Sequence, residues 1–239
     1  MLSRSIIAGF AALCLAGPIA AQEQTVARYT ISVSGLTAGK LTLAARHDGT
    51  GYALTSNAAS AGMAGLFRSF SLTTRAQGTQ RNGRLVPDSY SSRSEGARAQ
   101  RGADLTFRGG VATVVRADAP NPDAPAVDPQ KHRGAVDPLT GFYAVLRDTT
   151  PEAACQLDQT MFDGHRISRV TVSSPKTEAD GLICQGVYRR VTGYAPDDME
   201  KRREFAFAVT YRRVDDLVLR VSEVSMDSLF GPARMTRDD

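Results

Sequence analysis

One histidine of the chain stands where its neighbours could support chemistry. In the run Asp163-Gly164-His165-Arg166, a carboxylate precedes an imidazole, and such a pair can act as an oriented general base. The same run is typical of a tight turn, because Asp-Gly tolerates the backbone geometry of a chain reversal. No serine or cysteine nucleophile motif accompanies it, so the turn is favoured and a hydrolase using Asp163 and His165 is the weaker hypothesis.

Metal and phosphate sites are not indicated by the remaining residues. The chain has three histidines and three cysteines, and neither His47 nor His132 has a partner at metal-ligand spacing. A glycine-rich phosphate loop is also missing, because Gly62 and Gly65 lack the lysine that such a loop requires. We therefore expect no catalytic residues, no metal and no cofactor.

The charge of the chain gives little support for nucleic-acid binding. The formal net charge is +4, and the basic residues are spread along the sequence. The most basic run, Lys201-Arg202-Arg203, is flanked by Glu200 and Glu204, which weaken its field. We interpret this run as a charged strand start that discourages edge pairing, and we expect no nucleic-acid partner.

Residues 1–21 are typical of a signal peptide. Arg4 supplies a positive charge, and residues 6–15 form an apolar stretch too short to span a bilayer. Ile19-Ala20-Ala21 then offers a cleavage site before Gln22. An anchoring helix that stays in place is the alternative. We expect a cleaved, periplasmic chain that does not span the membrane.

Cleavage would remove Cys14 and leave Cys155 and Cys184. An even number of cysteines in an oxidising compartment favours a disulfide. Closing a loop of about thirty residues would stabilise the fold by roughly 3.5 kcal/mol. Two separate buried thiols are the alternative. A cysteine–histidine nucleophile is less favoured, because nothing places His165, the histidine nearest in sequence, beside either sulfur.

Apolar and polar residues alternate through most of the mature chain. Residues 29–33 and 205–211 show this period of two clearly, as half-buried strands do. Turn signals separate the alternating segments, and Asn82-Gly83 is the strongest of them. The pattern predicts antiparallel β structure and argues against repeated βαβ units.

One helix is predicted, over residues 138–147. Asp137 can cap it, Pro138 suits its first position, and an apolar stripe follows at helical spacing. The stripe consists of Leu139, Phe142, Tyr143 and Leu146. Residues 117–136 before the helix hold four prolines and form a proline-rich loop. That loop could separate two domains, but we favour one β-rich domain over residues 22–239.

The apolar face of the predicted sheet is wider than one helix can cover. It includes Tyr29, Ile31, Val33, Leu41, Leu43, Phe70, Phe205, Phe207, Val209 and Tyr211. The uncovered part must close into a barrel, pack on a second sheet or remain a groove. We predict a mainly β fold, a single curved antiparallel sheet or half-open barrel capped by the helix. Ordinary core packing is the favoured interpretation of this face, and a groove that accepts an apolar molecule is the alternative, with Phe142, Tyr143, Phe207 and Tyr211 as its candidate residues.

Motifs along the chain resemble those of one exported bacterial family. They are Asp137-Pro138-Leu139-Thr140, Cys155, Phe162-Asp163-Gly164-His165-Arg166, Cys184-Gln185-Gly186-Val187-Tyr188 and Val191-Thr192-Gly193-Tyr194, with Tyr29, Gly35, Gly39, Tyr52 and Pro87 before them. This order resembles the family called domain of unknown function 3108. The resemblance implies an envelope protein of antiparallel β structure without established activity, supports the cysteine pairing and adds no catalytic residue. The predicted architecture is also similar to the half-barrel of lipoprotein carriers such as LolA and LolB, an analogy of fold alone.

These observations lead to three functional hypotheses. The first is a periplasmic, non-enzymatic binding or carrier protein for an apolar or amphiphilic envelope molecule such as a lipid. The second is an envelope assembly module that presents a sheet edge or the proline-rich loop to a partner protein. The third, less favoured, is the hydrolase using Asp163 and His165.

Overall fold

The computed structural model describes residues 23–62, 69–96, 99–228 and 230–238, and these residues form thirteen strands. Apolar alternation and turn residues at the reversals account for most of the strands. Their bounds are β1 (Glu23–Val33), β2 (Leu36–Asp48), β3 (Gly51–Ser60), β4 (Phe70–Arg81), β5 (Arg84–Gly96), β6 (Ala99–Arg108), β7 (Val111–Ala117), β8 (Leu157–Phe162), β9 (Ile167–Glu178), β10 (Gly181–Thr192), β11 (Glu204–Arg213), β12 (Leu219–Ser228) and β13 (Gly231–Arg237).

All thirteen strands belong to one antiparallel sheet that is nearly closed into a barrel. Consecutive strands pair from β1 to β7 and from β8 to β13, and β13 returns to pair with β1. The edges of the sheet are therefore β7 and β8. Six antiparallel steps separate each edge from β1, so β7 and β8 run in the same direction. A chain that joins two strands running in the same direction must cross from one end of the sheet to the other, which explains the long segment between β7 and β8. The predicted mainly β, half-open architecture is confirmed.

The crossover segment bridges the seam between the two edges. On one side, the backbone N–H of Gly134 donates to Gly110 O in the β6–β7 turn at 2.7 Å. On the other side, Val136 pairs in parallel with Met161 of β8. A short 3₁₀ turn, Pro129–His132, lies within the segment that was predicted to be a proline-rich loop. The loop thus supplies contacts to both edge strands.

The predicted helix is present as α1 (Pro138–Leu146) and crosses one end of the sheet. Tyr143 reaches His47 next to the β2–β3 turn, and the Arg147 side chain donates to Gly83 O in the β4–β5 turn. We call this end, which also carries the β11–β12 turn, the covered end. The opposite end carries the β1–β2 and β12–β13 turns, and we call it the open end.

A second helix, α2 (Pro196–Lys201), was not predicted. It has only six residues and none of them is buried, so it carries no apolar stripe that a sequence pattern could reveal. Within the described part of the chain, no helix combines the length and the apolar character needed to cross a membrane.

Cys155 and Cys184 form a disulfide, as predicted. Their Cα atoms lie 5.3 Å apart, and both residues are buried. The bond links the segment after α1 to β10, so it ties the crossover connection to the sheet. It also fits an oxidising, exported environment. The predicted signal peptide, residues 1–21, lies outside the described residues.

Candidate functional site

On β11, β12, β13 and β1, the inward face of the sheet is buried towards the covered end and only partly buried towards the open end. Tyr29 and Val209 are fully buried and mark the inward side of β1 and β11. Cross-strand pairing places one inward row at Val209, Val224, Met235 and Ile31, and the next row at Phe207, Met226, Ala233 and Val33. Beyond Val209, every member of both rows is only half-buried. We call Ile31, Val33, Phe207, Val224, Met226 and Met235 the open face.

Apolar side chains also project at the rim beside the open face. Leu36, which pairs with Val33, is 64% exposed, and Phe230 in the β12–β13 turn is 81% exposed. The two turns are in contact, because the Ser34 hydroxyl donates to Phe230 O at 3.1 Å. The open face is therefore continuous with an apolar rim on two adjacent turns.

The four predicted groove residues lie in different places. Tyr143 and Tyr211 are buried at the covered end, where the Tyr143 hydroxyl lies 2.8 Å from His47 Nε2. The Tyr211 hydroxyl donates to Val145 O at 3.4 Å, and burial raises the pKa of Tyr211 to about 12. Phe142 is on the exposed side of α1. Phe207 belongs to the open face, so the structure brings Tyr143 and Tyr211 to one end and Phe207 to the other.

The Phe207 ring has its place on the sheet because its neighbour has no side chain. Phe207 pairs with Gly186 of β10, and a Cβ atom added to Gly186 would lie 2.2 Å from the ring. The glycine thus lets the aromatic ring lie flat over β10. Gly186 belongs to the motif Cys184-Gln185-Gly186-Val187-Tyr188, and the Phe207 ring explains why this position has no side chain.

The Asp163 carboxylate accepts hydrogen bonds from within its own turn. Its Oδ1 accepts from the backbone N–H groups of His165 and Arg166 at 2.9 and 2.7 Å, and its Oδ2 accepts from the Arg166 side chain at 2.8 Å. His165 Nε2 is buried and has no hydrogen-bond partner among the described residues. These bonds favour the turn interpretation of this run.

A buried polar chain that the sequence did not reveal joins α1 to the sheet. The Asp137 carboxylate is fully buried and accepts from the Thr140 N–H at 2.9 Å and from the Thr140 hydroxyl at 2.6 Å. The Tyr52 hydroxyl lies 3.0 Å from that of Thr140. Burial raises the pKa of Asp137 to about 6 and raises the pKa of Tyr52. Asp137 was predicted as a cap, but its burial and its link to Tyr52 depend on tertiary contacts.

Arginines and aromatic rings alternate near the start of β11. The Arg190 guanidinium lies 5.2 Å from the Tyr194 ring centre and 5.1 Å from that of Phe205. Arg166 lies 5.4 Å from the Tyr194 ring centre, and Arg202 lies 4.9 Å from that of Phe205. Arg190 also donates to the carbonyls of Asp198 and Arg202, which anchors α2. Because Phe205 is two residues from Phe207, this stack places guanidinium groups beside the open face.

Comparison with known proteins gives a family and a weak structural likeness. No curated protein matches the chain. Among solved structures, the chain is similar to a crystal structure described as a beta-barrel-like protein of domain of unknown function DUF1849 from Brucella abortus, at 12% identity and a TM-score of 0.43. That alignment covers 92% of this chain and 96% of the other.

The sequence profile of one family matches residues 28–179, from the second half of β1 to the end of β9. The segment with Cys184 and Tyr194, which also resembled that family, lies beyond the matched residues. The match nevertheless includes the Asp137-Pro138-Leu139-Thr140 cap, Tyr52 and the Asp163 turn. On this match, which covers more than half of its length, the chain belongs to the family described as "Protein of unknown function (DUF3108)".

Proposed function

We propose that this protein is a non-enzymatic binding or carrier protein that holds an apolar or amphiphilic molecule of the cell envelope against the open face. The observation that carries the proposal is the change in burial along the inward rows. Val209 is fully buried, whereas its row neighbours Val224 and Met235 are only partly buried, and Leu36 and Phe230 at the rim are exposed. Exposed apolar surface beside a partly buried apolar face is typical of binding sites.

The charged surroundings of the open face favour an amphiphilic ligand. Arg190 and Arg202 pack on Phe205, next to Phe207 on the same strand. A ligand with an apolar part on the open face would bring its polar end within reach of these guanidinium groups. Their positive charge favours an anionic polar end, because guanidinium groups bind carboxylate and phosphate well.

We place this function in the periplasm. The disulfide between Cys155 and Cys184 requires an oxidising compartment to form and persist. Residues 1–21 have the composition of a cleavable signal peptide. An envelope lipid, or another molecule with an acyl chain, is the class of ligand that such a location offers.

Native mass spectrometry and solvent extraction of protein purified from the periplasm test the proposal. Wild-type protein is expected to carry an apolar molecule at close to one per chain. Val33→Glu and Met226→Glu place a charge on the open face and should abolish its recovery. Ser32→Glu and Ser225→Glu are the matched controls, because these neighbours lie on the outward side of the same strands. Recovery of empty wild-type protein in repeated preparations would contradict the proposal.

A second candidate function is binding of a partner protein at the β7 edge. β7 is an edge strand, and Val114 and Val115 on it are 39% and 65% exposed. An exposed apolar edge can accept a strand from another chain. In-cell crosslinking would then yield one stable protein neighbour that Val115→Lys removes and Val33→Glu does not. If the open-face proposal is correct, Val33→Glu should remove the bound molecule and Val115→Lys should not.

A further inference from the structure

Phe207 stands where the buried part of the inward face meets the open face. Towards the covered end, the next inward residue of β11 is Val209, which pairs with Cys184 of β10, and both side chains are fully buried. Towards the open end, the next inward residue of β11 is Phe205, which is only partly buried. An apolar chain that enters along β11 from the open end therefore reaches Phe207 immediately before the packed core.

The Phe207 ring fills the space above the neighbouring strand. In register, the inward row continues from Phe207 to Gly186 of β10 and then to Val172 of β9. Three ring atoms would lie 2.2, 2.4 and 2.7 Å from a Cβ atom added to Gly186, so the ring lies across the backbone of β10. Gly186 is buried although it has no side chain, because the ring covers it. The ring thus closes the inward face at this point.

The row on the other side of Phe207 contains side chains that set no fixed boundary. Met226 of β12 pairs with Phe207, and Ala233 of β13 pairs with Met226. A methionine side chain is unbranched and adapts its shape to what lies beside it, and an alanine methyl occupies little space. An aromatic ring is large and keeps its shape. Phe207 is therefore the bulky, rigid member of the row.

We propose that Phe207 determines the length of the apolar chain that the open face accepts. The inference rests on the function proposed above, because it assigns a role within that same site. An unbranched acyl chain with its polar end at the guanidinium groups beside Phe205 would meet the Phe207 ring with its terminal methyl group. A chain that ends at the ring buries all of its methylene groups, whereas the extra methylene groups of a longer chain gain no burial. The acyl-chain length at which affinity stops rising is called the length limit below.

Displacement of the fluorescent fatty acid cis-parinaric acid from delipidated full-length protein, by saturated fatty acids from octanoate to stearate, measures the length limit. In the wild type, the affinity is expected to rise about fourfold with each added methylene group until the chain reaches the ring, and no further. Phe207→Ala opens the space above Gly186, so the same rise should continue to longer chains. Phe207→Leu keeps more of the core filled and should extend the limit by less.

Phe142→Ala is the matched control, because it removes the same ring from the exposed side of α1 at the covered end. It should leave the length limit unchanged. Circular dichroism checks that each variant is folded, and Phe207→Leu carries the test if Phe207→Ala does not fold. A limit that moves to longer chains in the Phe207 variants and stays in place in Phe142→Ala supports the proposal.

The outcomes against the proposal separate it from the function on which it rests. An affinity that rises as far as stearate in the wild type, or a limit that is the same in the wild type and the Phe207 variants, overturns the role of Phe207 alone. A limit that Phe142→Ala moves equally overturns it as well. Wild-type protein that binds no fatty acid but carries another apolar molecule by native mass spectrometry also overturns only this inference. Wild-type protein that binds no fatty acid and is recovered empty overturns both proposals.

Discussion

The hydroxyl of Tyr52 on β3 lies 3.0 Å from the hydroxyl of Thr140 on α1, although 88 residues separate them in the chain. Thr140 in turn donates to the buried carboxylate of Asp137. A tyrosine of the sheet is therefore bonded, through one hydroxyl, to the residue that caps the helix. This connection fixes the start of α1 against the covered end.

Removing the Tyr52 hydroxyl should destabilise the protein modestly. We expect Tyr52→Phe to lower the free energy of unfolding by about 1 kcal/mol, the usual net value of one buried hydrogen bond. Thr140→Val should lower the free energy of unfolding further, because it removes the hydroxyl that donates to the buried Oδ2 of Asp137. Urea unfolding of both variants and of the double variant measures the coupling between them. Strictly additive losses would show that the two hydroxyls do not act together.

The stability of the protein should fall as pH rises from about 4 to about 6 because of Asp137. Burial raises the pKa of this carboxyl in the folded protein to about 6, above its value in an unfolded chain. The folded state therefore holds the proton more tightly, and the loss over this range is on the order of 3 kcal/mol. Asp137→Asn cannot titrate and still caps the helix. Urea unfolding at several pH values should show a shallower dependence in the variant, and identical slopes would refute the assignment.

Loss of the disulfide should lower the free energy of unfolding more than the loss of any single hydrogen bond. Cys155 and Cys184 are separated by 29 positions, and opening a loop of this size lowers stability by roughly 3.5 kcal/mol on entropic grounds. We expect the Cys155→Ala/Cys184→Ala variant to show this loss in urea. Wild-type protein treated with a reductant should behave similarly. A reductant that has no effect on the double variant confirms that the change arises from this bond.

Gly193 should tolerate no side chain. Its φ is +84°, and an added Cβ would lie 2.2 Å from the carbonyl oxygen of His165. We expect Gly193→Ala to cost about 3 kcal/mol or more, from the left-handed backbone and the overlap together. Gly83 is the matched control, because its φ is +77° and an added Cβ meets no atom within 4 Å. Gly83→Ala should cost only about 1 kcal/mol, as thermal unfolding of both variants will show.

The features that could be predicted from the sequence are those that depend on residues close together in the chain. The alternation at residues 29–33, the Asn82-Gly83 turn and the Asp137-Pro138 cap each depend on a few neighbouring residues, and each occurs as expected. The disulfide was predicted from the number of cysteines and the expected compartment. Patterns among neighbouring residues were therefore sufficient to predict the high strand content and the position of α1.

Features set by distant contacts could not be predicted in this way. The equal direction of β7 and β8 follows from the pairing of β1 with β13, which no local pattern specifies. Tyr143 and Phe142 are adjacent in sequence, yet only Tyr143 is buried, because the position of α1 decides which side meets the sheet. The rows of the open face depend on the register between β11, β12, β13 and β1.

The pairing of β1 with β13 has a consequence for how the chain reaches its native state. Tyr29 stands opposite Arg237, so one edge of β1 pairs with β2 and its other edge pairs only with β13, more than 190 positions later in the chain. Contacts between such distant parts of a chain make folding slow, typically milliseconds to seconds for sheet proteins. Until β13 has formed, β1 and β12 each present one unpaired backbone edge that can associate with other chains. Protection of these strands during biogenesis is thus a requirement of the topology.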